Sequence, residues 1–124
     1  MLAYQLIKID KYIELGDIHM YIVTGKITRQ NLEDSFHTIA DPIVSDDIRL
    51  YWIQEYKETG KCIHVNVTMS DDQLELETVQ MWSDQQSYLD YKNDAILNSG
   101  LFSIRDVYWA SRGITGVIVN EETV

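Results

Sequence analysis

The chain has 124 residues and a mass of 14.4 kDa, which suits one domain and is too short for two well-stabilised cores. Apolar residues make up 45% and charged residues 24%, as in an ordinary globular domain, while 20 acidic against 10 basic residues give a net charge of −10. That balance argues against sequence-independent binding to nucleic acid, which needs clustered Lys and Arg against phosphates, and against docking on anionic lipid.

Residues 2–9 (LAYQLIKI) and 18–27 (IHMYIVTGKI) are rich in Tyr, Ile and Val and read as strands, with Leu15-Gly16-Asp17 as the turn between them. Thr28 is placed to cap a helix over 29–40, where Leu32, Phe36 and Ile39 recur at helical spacing; Pro42 ends it. Strands are expected at 48–57 (IRLYWIQEYK) and 61–69 (KCIHVNVTM), separated by Glu58-Thr59-Gly60. In the second, Ile63, Val65, Val67 and Met69 alternate with Cys62, His64, Asn66 and Thr68. A turn at 70–73 leads to a strand at 74–82, whose apolar positions change phase, so a bulge is expected near Thr78. Ser83 and Gln86 match a Ser-x-x-Gln capping box for a helix over 84–98 with Gly100 as its stop. Strands are then expected at 103–111 and 114–119, with Glu121 to Val124 frayed.

Within this order lies β-α-β-β-α-β, the split pattern of a ferredoxin-like α+β fold, in which one antiparallel sheet carries two helices on a single face. Extra strands stand at the N-terminus and in the middle. Two helices leave the second sheet face uncovered, so packing of two sheets in a homodimer is expected. The single cysteine, Cys62, forms no internal disulfide and reads as a reduced structural thiol, which suits the cytoplasm. No stretch reaches the ~20 apolar residues of a membrane helix, and the first residues lack the pattern of a signal peptide.

Residues 74–111 carry a resemblance. A strand ending in Trp82, a short polar cap and an amphipathic helix (LELETVQMWSDQQSYLDYKNDAI), followed by SIRDVYWAS, resemble the second half of the dimeric α/β-barrel superfamily, to which small monooxygenases of the antibiotic-biosynthesis type belong. The resemblance implies a ferredoxin-like fold and a dimer whose sheets close into a barrel. The ninth position after the Trp, often His in that superfamily, is Tyr91, and no histidine lies in this helix. The sequence thus departs from the family at the position on which its oxygen chemistry would be carried over. The implied pocket lies between the sheet and the second helix, with Trp82 as a wall, Tyr91 in the histidine's place, and His64 or Asn66 as polar contacts.

The remaining chemistry is sparse. His19, His37 and His64 have neither HExxH nor paired-Cys spacing, so no metal site is expected. Asp46-Asp47 and Asp71-Asp72 read as turn carboxylates, and Glu75 with Glu77 as exposed acids on a strand face. Cys62 and His64 share a predicted strand face, but the sequence shows no environment that would activate the thiol. No GxGxxG, GxxxxGK[ST] or GxSxG motif is present, so no cofactor is expected. Trp52, Trp82, Trp109, Tyr51, Tyr56 and Tyr108 are all placed in strands, as core or as the wall of a pocket for a flat ligand. Residues 1–62 hold 10 acids and 7 bases, and residues 63–124 hold 10 and 3, so the second half carries most of the negative charge. Three readings follow. The first is a homo-oligomeric structural or interaction protein without chemistry. The second is a cofactor-free enzyme or binder of a small aromatic ligand. The third is an acidic adaptor or inhibitor of a basic protein partner.

Overall fold

The structure is a computed structural model and describes residues 20–124. The expected strand at 2–9, the turn at 15–17 and His19 lie outside the described residues. Strands β1 (Tyr21–Thr28), β2 (Cys62–Met69), β3 (Glu75–Trp82) and β4 (Thr115–Thr123) form one sheet in the order β2-β3-β1-β4. Every neighbouring pair is antiparallel. It follows that β1 and β2 run the same way with β3 between them, and β3 and β4 run the same way with β1 between them. Each of these pairs is joined by a helical crossover. The first is α1 (Asp46–Trp52) with a π-helical turn at Ile53–Lys57; the second is α2 (Gln85–Lys92), α3 (Ala95–Leu97), a π-helical segment at Asn98–Phe102 and α4 (Ser103–Arg112). The α+β class and the β-α-β-β-α-β order are those expected, but several elements are built from other residues.

The expected helix at 29–40 is a run of turns. Its Leu32 is 58% exposed while Phe36 is buried against Ile27, Leu76 and Ile114, so the apolar stripe faces no common core. Local polar groups hold the backbone instead. Ser35 Oγ accepts from the His37 amide (2.8 Å) and donates to Asp41 (2.5 Å), and Arg29 donates to the carbonyls of Gln73 and Asp34. These bonds compete with a helical ladder, and His37 takes a positive φ of 55°. The helix forms at 46–57, where a strand was expected. Ser45 caps it by accepting from the Ile48 amide, and Asp46 and Asp47 occupy the first turn, favourable at the positive helix end. Ile48, Tyr51, Trp52 and Tyr56 recur at intervals of three and four and all meet the same core cluster.

The second crossover also departs from the expectation. Asp84, not Ser83, caps α2, its carboxylate accepting from the Ser87 amide at 2.8 Å; Ser83 Oγ instead lies 3.0 Å from Ser87 Oγ. Gly100 does not stop the helix. It lies within the π-helical segment, where a Cβ would run into the Ile48 side chain. The stop is Gly113, in the left-handed conformation at φ 65°. Residues 103–111, expected as a strand, belong to α4, with Val107 72% exposed on its outer face and Tyr108 and Trp109 packed on the core. The fourth strand is β4, and the C-terminus does not fray, because Val124 and Met20 exchange two backbone hydrogen bonds. Of the tryptophans, only Trp82 lies in a strand; Tyr51, Tyr56 and Tyr108 are helical or in the helical crossover.

One bulge lies in β2 and a second irregularity in β4, where Thr24 pairs with Asn120 and Gly25 with Ile118; neither is in β3 near Thr78, through which both ladders of β3 run without a break. Cys62 pairs with Trp82 and His64 with Met81, leaving Ile63 as the extra residue. This shift puts Cys62 on the helical face with Trp82 and puts His64 on the opposite face with Met81. The helical face carries the main core of Tyr21, Val23, Tyr56, Cys62, Trp82, Tyr88 and Leu97. On the second face Met20, Ile22, Val79 and Met81 are buried, and the other end bears Lys26, Glu75, Glu77 and Thr68. The apolar end of that face is therefore out of solvent within a single chain. Among the described residues the sheet is open, with β2 and β4 as its edges. No helix of the described residues is long and apolar enough to cross a membrane.

Candidate functional site between the sheet and the second crossover

The helical crossover does not close completely on the sheet. A chamber of about 420 Å³ lies between them, floored by β1, β3 and β4 and walled by α2, the π-helical segment and α4. That volume falls in the range of small-ligand sites. Two glycines in the strands help leave the space open. Gly25 faces the helices between Val23 and Ile27, and a Cβ there would press on Thr78 Oγ1 at 3.2 Å and the Val117 carbonyl at 3.4 Å. A Cβ at Gly116 would strike the Trp109 ring.

Aromatic rings make the wall. Tyr88 and Tyr91 come from α2, Phe102 from the π-helical segment and Trp109 from α4. Tyr91 stacks edge-on with Phe102 at 5.2 Å between centroids and lies tilted on Trp82 at 4.9 Å. Trp82 is fully buried, and its indole Nε1 donates to Gln80 Oε1 at 3.2 Å. It thus stands behind the chamber, fixing Tyr91 and Gln80, and is not itself part of the lining. Burial pushes the Tyr91 phenol above its usual pKa, against the opposing pull of the Arg105 charge. Burial likewise raises Tyr88 to about 12. Both phenols are neutral at physiological pH and act as hydrogen-bonding groups, not bases.

The charged groups in the lining are Arg105 and Asp106 from α4 and Lys92 from α2; Lys26 of β1 borders the chamber, but its side chain lies on the opposite sheet face. The Arg105 guanidinium sits 5.0 Å from the Phe102 ring centre and 4.7 Å from that of Trp109. Its Nε is buried and has no hydrogen-bond partner among the described residues. Lys92 Nζ lies 5.5 Å from the Tyr88 ring centre. Arg105 and Lys92 form no ion pair among the described residues, whereas Lys26 is 3.9 Å from Glu75.

No family model, curated protein or solved structure matches this chain.

The four residues singled out from the sequence divide between the two sides of the sheet. Tyr91 lines the chamber and Trp82 supports it from behind. His64 pairs with Met81 and Asn66 with Val79, so both lie on the opposite face and are not polar contacts of this chamber. Reasoning from sequence missed Arg105, Gln80 and Gly25, and it named Trp109 as a pocket wall but in a strand rather than in α4. The signals were present: a glycine inside a strand marks a close approach, and Phe102, Arg105 and Trp109 are spaced three and four apart, as on one helical face.

Cys62 is buried beneath the same crossover. Burial lifts its thiol to about 11, although a hydrogen bond to the His64 backbone and the Lys57 charge work against the rise. Its side chain is on the opposite sheet face from that of His64, so the pair supplies no thiolate–imidazole nucleophile. Among the described residues no three His, Cys, Asp or Glu side chains come together as a metal site. The chamber offers stacking surfaces, neutral phenols, amides and charged groups, a set suited to binding rather than to acid–base or nucleophilic chemistry.

Proposed function

We propose that the protein is a binding module that holds a small, flat organic molecule between its sheet and its second crossover. The observation that carries this reading is the chamber of about 420 Å³ with aromatic walls and a glycine in its floor. The strand order, with two crossovers that each skip a strand, supports a ferredoxin-like frame. In the test, a library of neutral, cationic and anionic aromatic compounds is screened by thermal shift, and hits are measured by calorimetry. Wild-type protein should bind at least one compound in the micromolar range. Gly25→Leu places a side chain in the chamber and should abolish that binding while the far-ultraviolet circular dichroism is unchanged. Absence of any binding compound, or equal binding by folded Gly25→Leu protein, overturns the reading.

A second copy of the chain is a further partner in this reading, favoured by the β4 edge. All nine residues of β4 are exposed, and Val117, Ile118 and Val119 form an apolar run on an edge whose outer side pairs with no described strand. Such an edge is a template for pairing with another chain.

A further inference from the structure

We infer that the ligand of this chamber is an anion, a planar aromatic carboxylate held through its carboxylate by Arg105. The inference rests on the binding reading above and adds the chemical class. It starts from how the other arginines and two of the lysines of the described residues are treated, Lys57 and Lys92 being without an ion pair there. Lys26, Arg49, Lys61 and Arg112 each lie within ion-pair distance of a carboxylate, and Arg29 directs its guanidinium at two backbone carbonyls. Among the described residues Arg105 does neither, in a protein with 20 acidic residues against 10 basic ones. A buried polar N–H without an acceptor is costly and uncommon in a native fold, and such a group calls for an explanation. An acceptor arriving with a ligand supplies one.

The geometry narrows the acceptor. The guanidinium is held near the faces of Phe102 and Trp109, which limits its orientation before any ligand enters. Guanidinium N–H groups match the two oxygens of a carboxylate, and that paired geometry suits Arg better than Lys. Lys92 adds a second positive charge to the same lining, and Asp106 is its only carboxylate. Tyr88 and Tyr91 give a flat ring surfaces to pack against, so one molecule can satisfy the charge and the aromatic wall together.

The test measures the full chain by calorimetry with 2-naphthoate, its neutral analogue 2-naphthamide and the cation 2-naphthylmethylammonium. Wild-type protein should bind the naphthoate about tenfold or more tightly than the amide, the scale of one charge-assisted pair. Arg105→Met keeps the length of the stem and should bring the affinities for acid and amide within about twofold of each other. Arg105→Lys should recover only part of the preference. A readout on unsubstituted protein covers the case in which Arg105→Met fails to fold. The Arg105 Nε–H resonance should move and gain protection from solvent exchange with naphthoate and not with the amide. Equal affinity for acid and amide overturns the anion assignment and leaves the chamber as a ligand site. Tightest binding of the ammonium compound overturns it in favour of Asp106. Failure of naphthoate to bind also overturns it, and the binding reading falls as well only if the wider library yields nothing.

Discussion

At the residue scale, one carboxylate joins the two crossovers. Asp94 Oδ2 accepts from the hydroxyls of Tyr51 (2.7 Å) and Tyr56 (2.6 Å), and Oδ1 accepts from the amides of Ile96 and Leu97 (both 2.9 Å). It therefore caps α3 and ties α1 and its π-helical turn to the second crossover. Burial alone would raise its pKa, but the bonds from Tyr56, Tyr51 and the two amides together hold it below the usual value. Those same bonds help push the Tyr51 phenol up to about 12. Asp94→Asn keeps the shape but loses acceptor capacity, so it should cost about 1–3 kcal/mol at neutral pH, read from the urea midpoint. The sign of the pH dependence follows from the lowered pKa. The carboxylate's stabilisation is fully present above about pH 4, the ordinary value for an unfolded Asp, and is lost as the pH falls through the lower folded value. The gap between wild type and Asp94→Asn should thus be constant from neutral pH to about pH 5 and close under more acid conditions. A gap independent of pH down to the acid limit would show that the charge is not what Asp94 contributes.

At the element scale, the contact between α1 and the second crossover depends on a missing side chain. Gly100 sits where Ile48 of α1 packs, and a Cβ there would overlap the Ile48 side chain. Within a helical segment Gly→Ala would ordinarily stabilise by about 0.5–1 kcal/mol. Here Gly100→Ala should be destabilising by about 1 kcal/mol or more, because overpacking outweighs propensity. Adding Ile48→Ala should relieve the overlap, so the double variant should be more stable than the sum of the single effects predicts. Additive effects in that cycle would show that the approach of Gly100 to Ile48 is not tight. The end of α4 follows a more local rule: Gly113 takes φ 65°, with the Gln30 side chain against it, and accordingly ends the helix.

At the scale of the whole molecule, the exposed strand edge bears on assembly. A dimer was expected from an uncovered apolar sheet face, but the apolar end of that face, around Met81 and Ile22, is buried within the chain. The exposed apolar run on β4 offers a different route, in which two copies align their β4 edges about a two-fold axis. Multi-angle light scattering at micromolar concentration should give twice the 14.4 kDa chain mass, with an interface above about 1,000 Å². Val119→Lys, in the middle of β4, should return the chain to a monomer without loss of fold. A wild-type monomer would refute this assembly and leave the chamber untouched, since its walls come from one chain.

Much of this was legible in the sequence. The alternation at 62–69, the paired strand at 75–82 and the polar turn between them are local patterns, and each formed where its residues predicted. The α+β class followed from the order of such elements. The helix at 46–57 was legible too, in Ser45, two acids and the spacing of Ile48, Tyr51, Trp52 and Tyr56, but its Ile, Trp and Tyr content pointed locally to a strand. The same held for 103–111, where β-forming residue types carry a helical spacing. Propensity differs by only fractions of a kcal/mol per residue, whereas burying an aromatic face is worth more, so packing decided both segments. The site was less legible still. Tyr91 could be named from a neighbouring Trp and a helix, but Arg105 joins it only because α4 folds back over β1 and β4. The bulge at Ile63 decided that His64 would face away and Cys62 inward, since one extra residue reverses every later side chain on a strand. Which residue types could form strands was written in the chain; which of them share a wall was fixed by contacts between segments far apart in it.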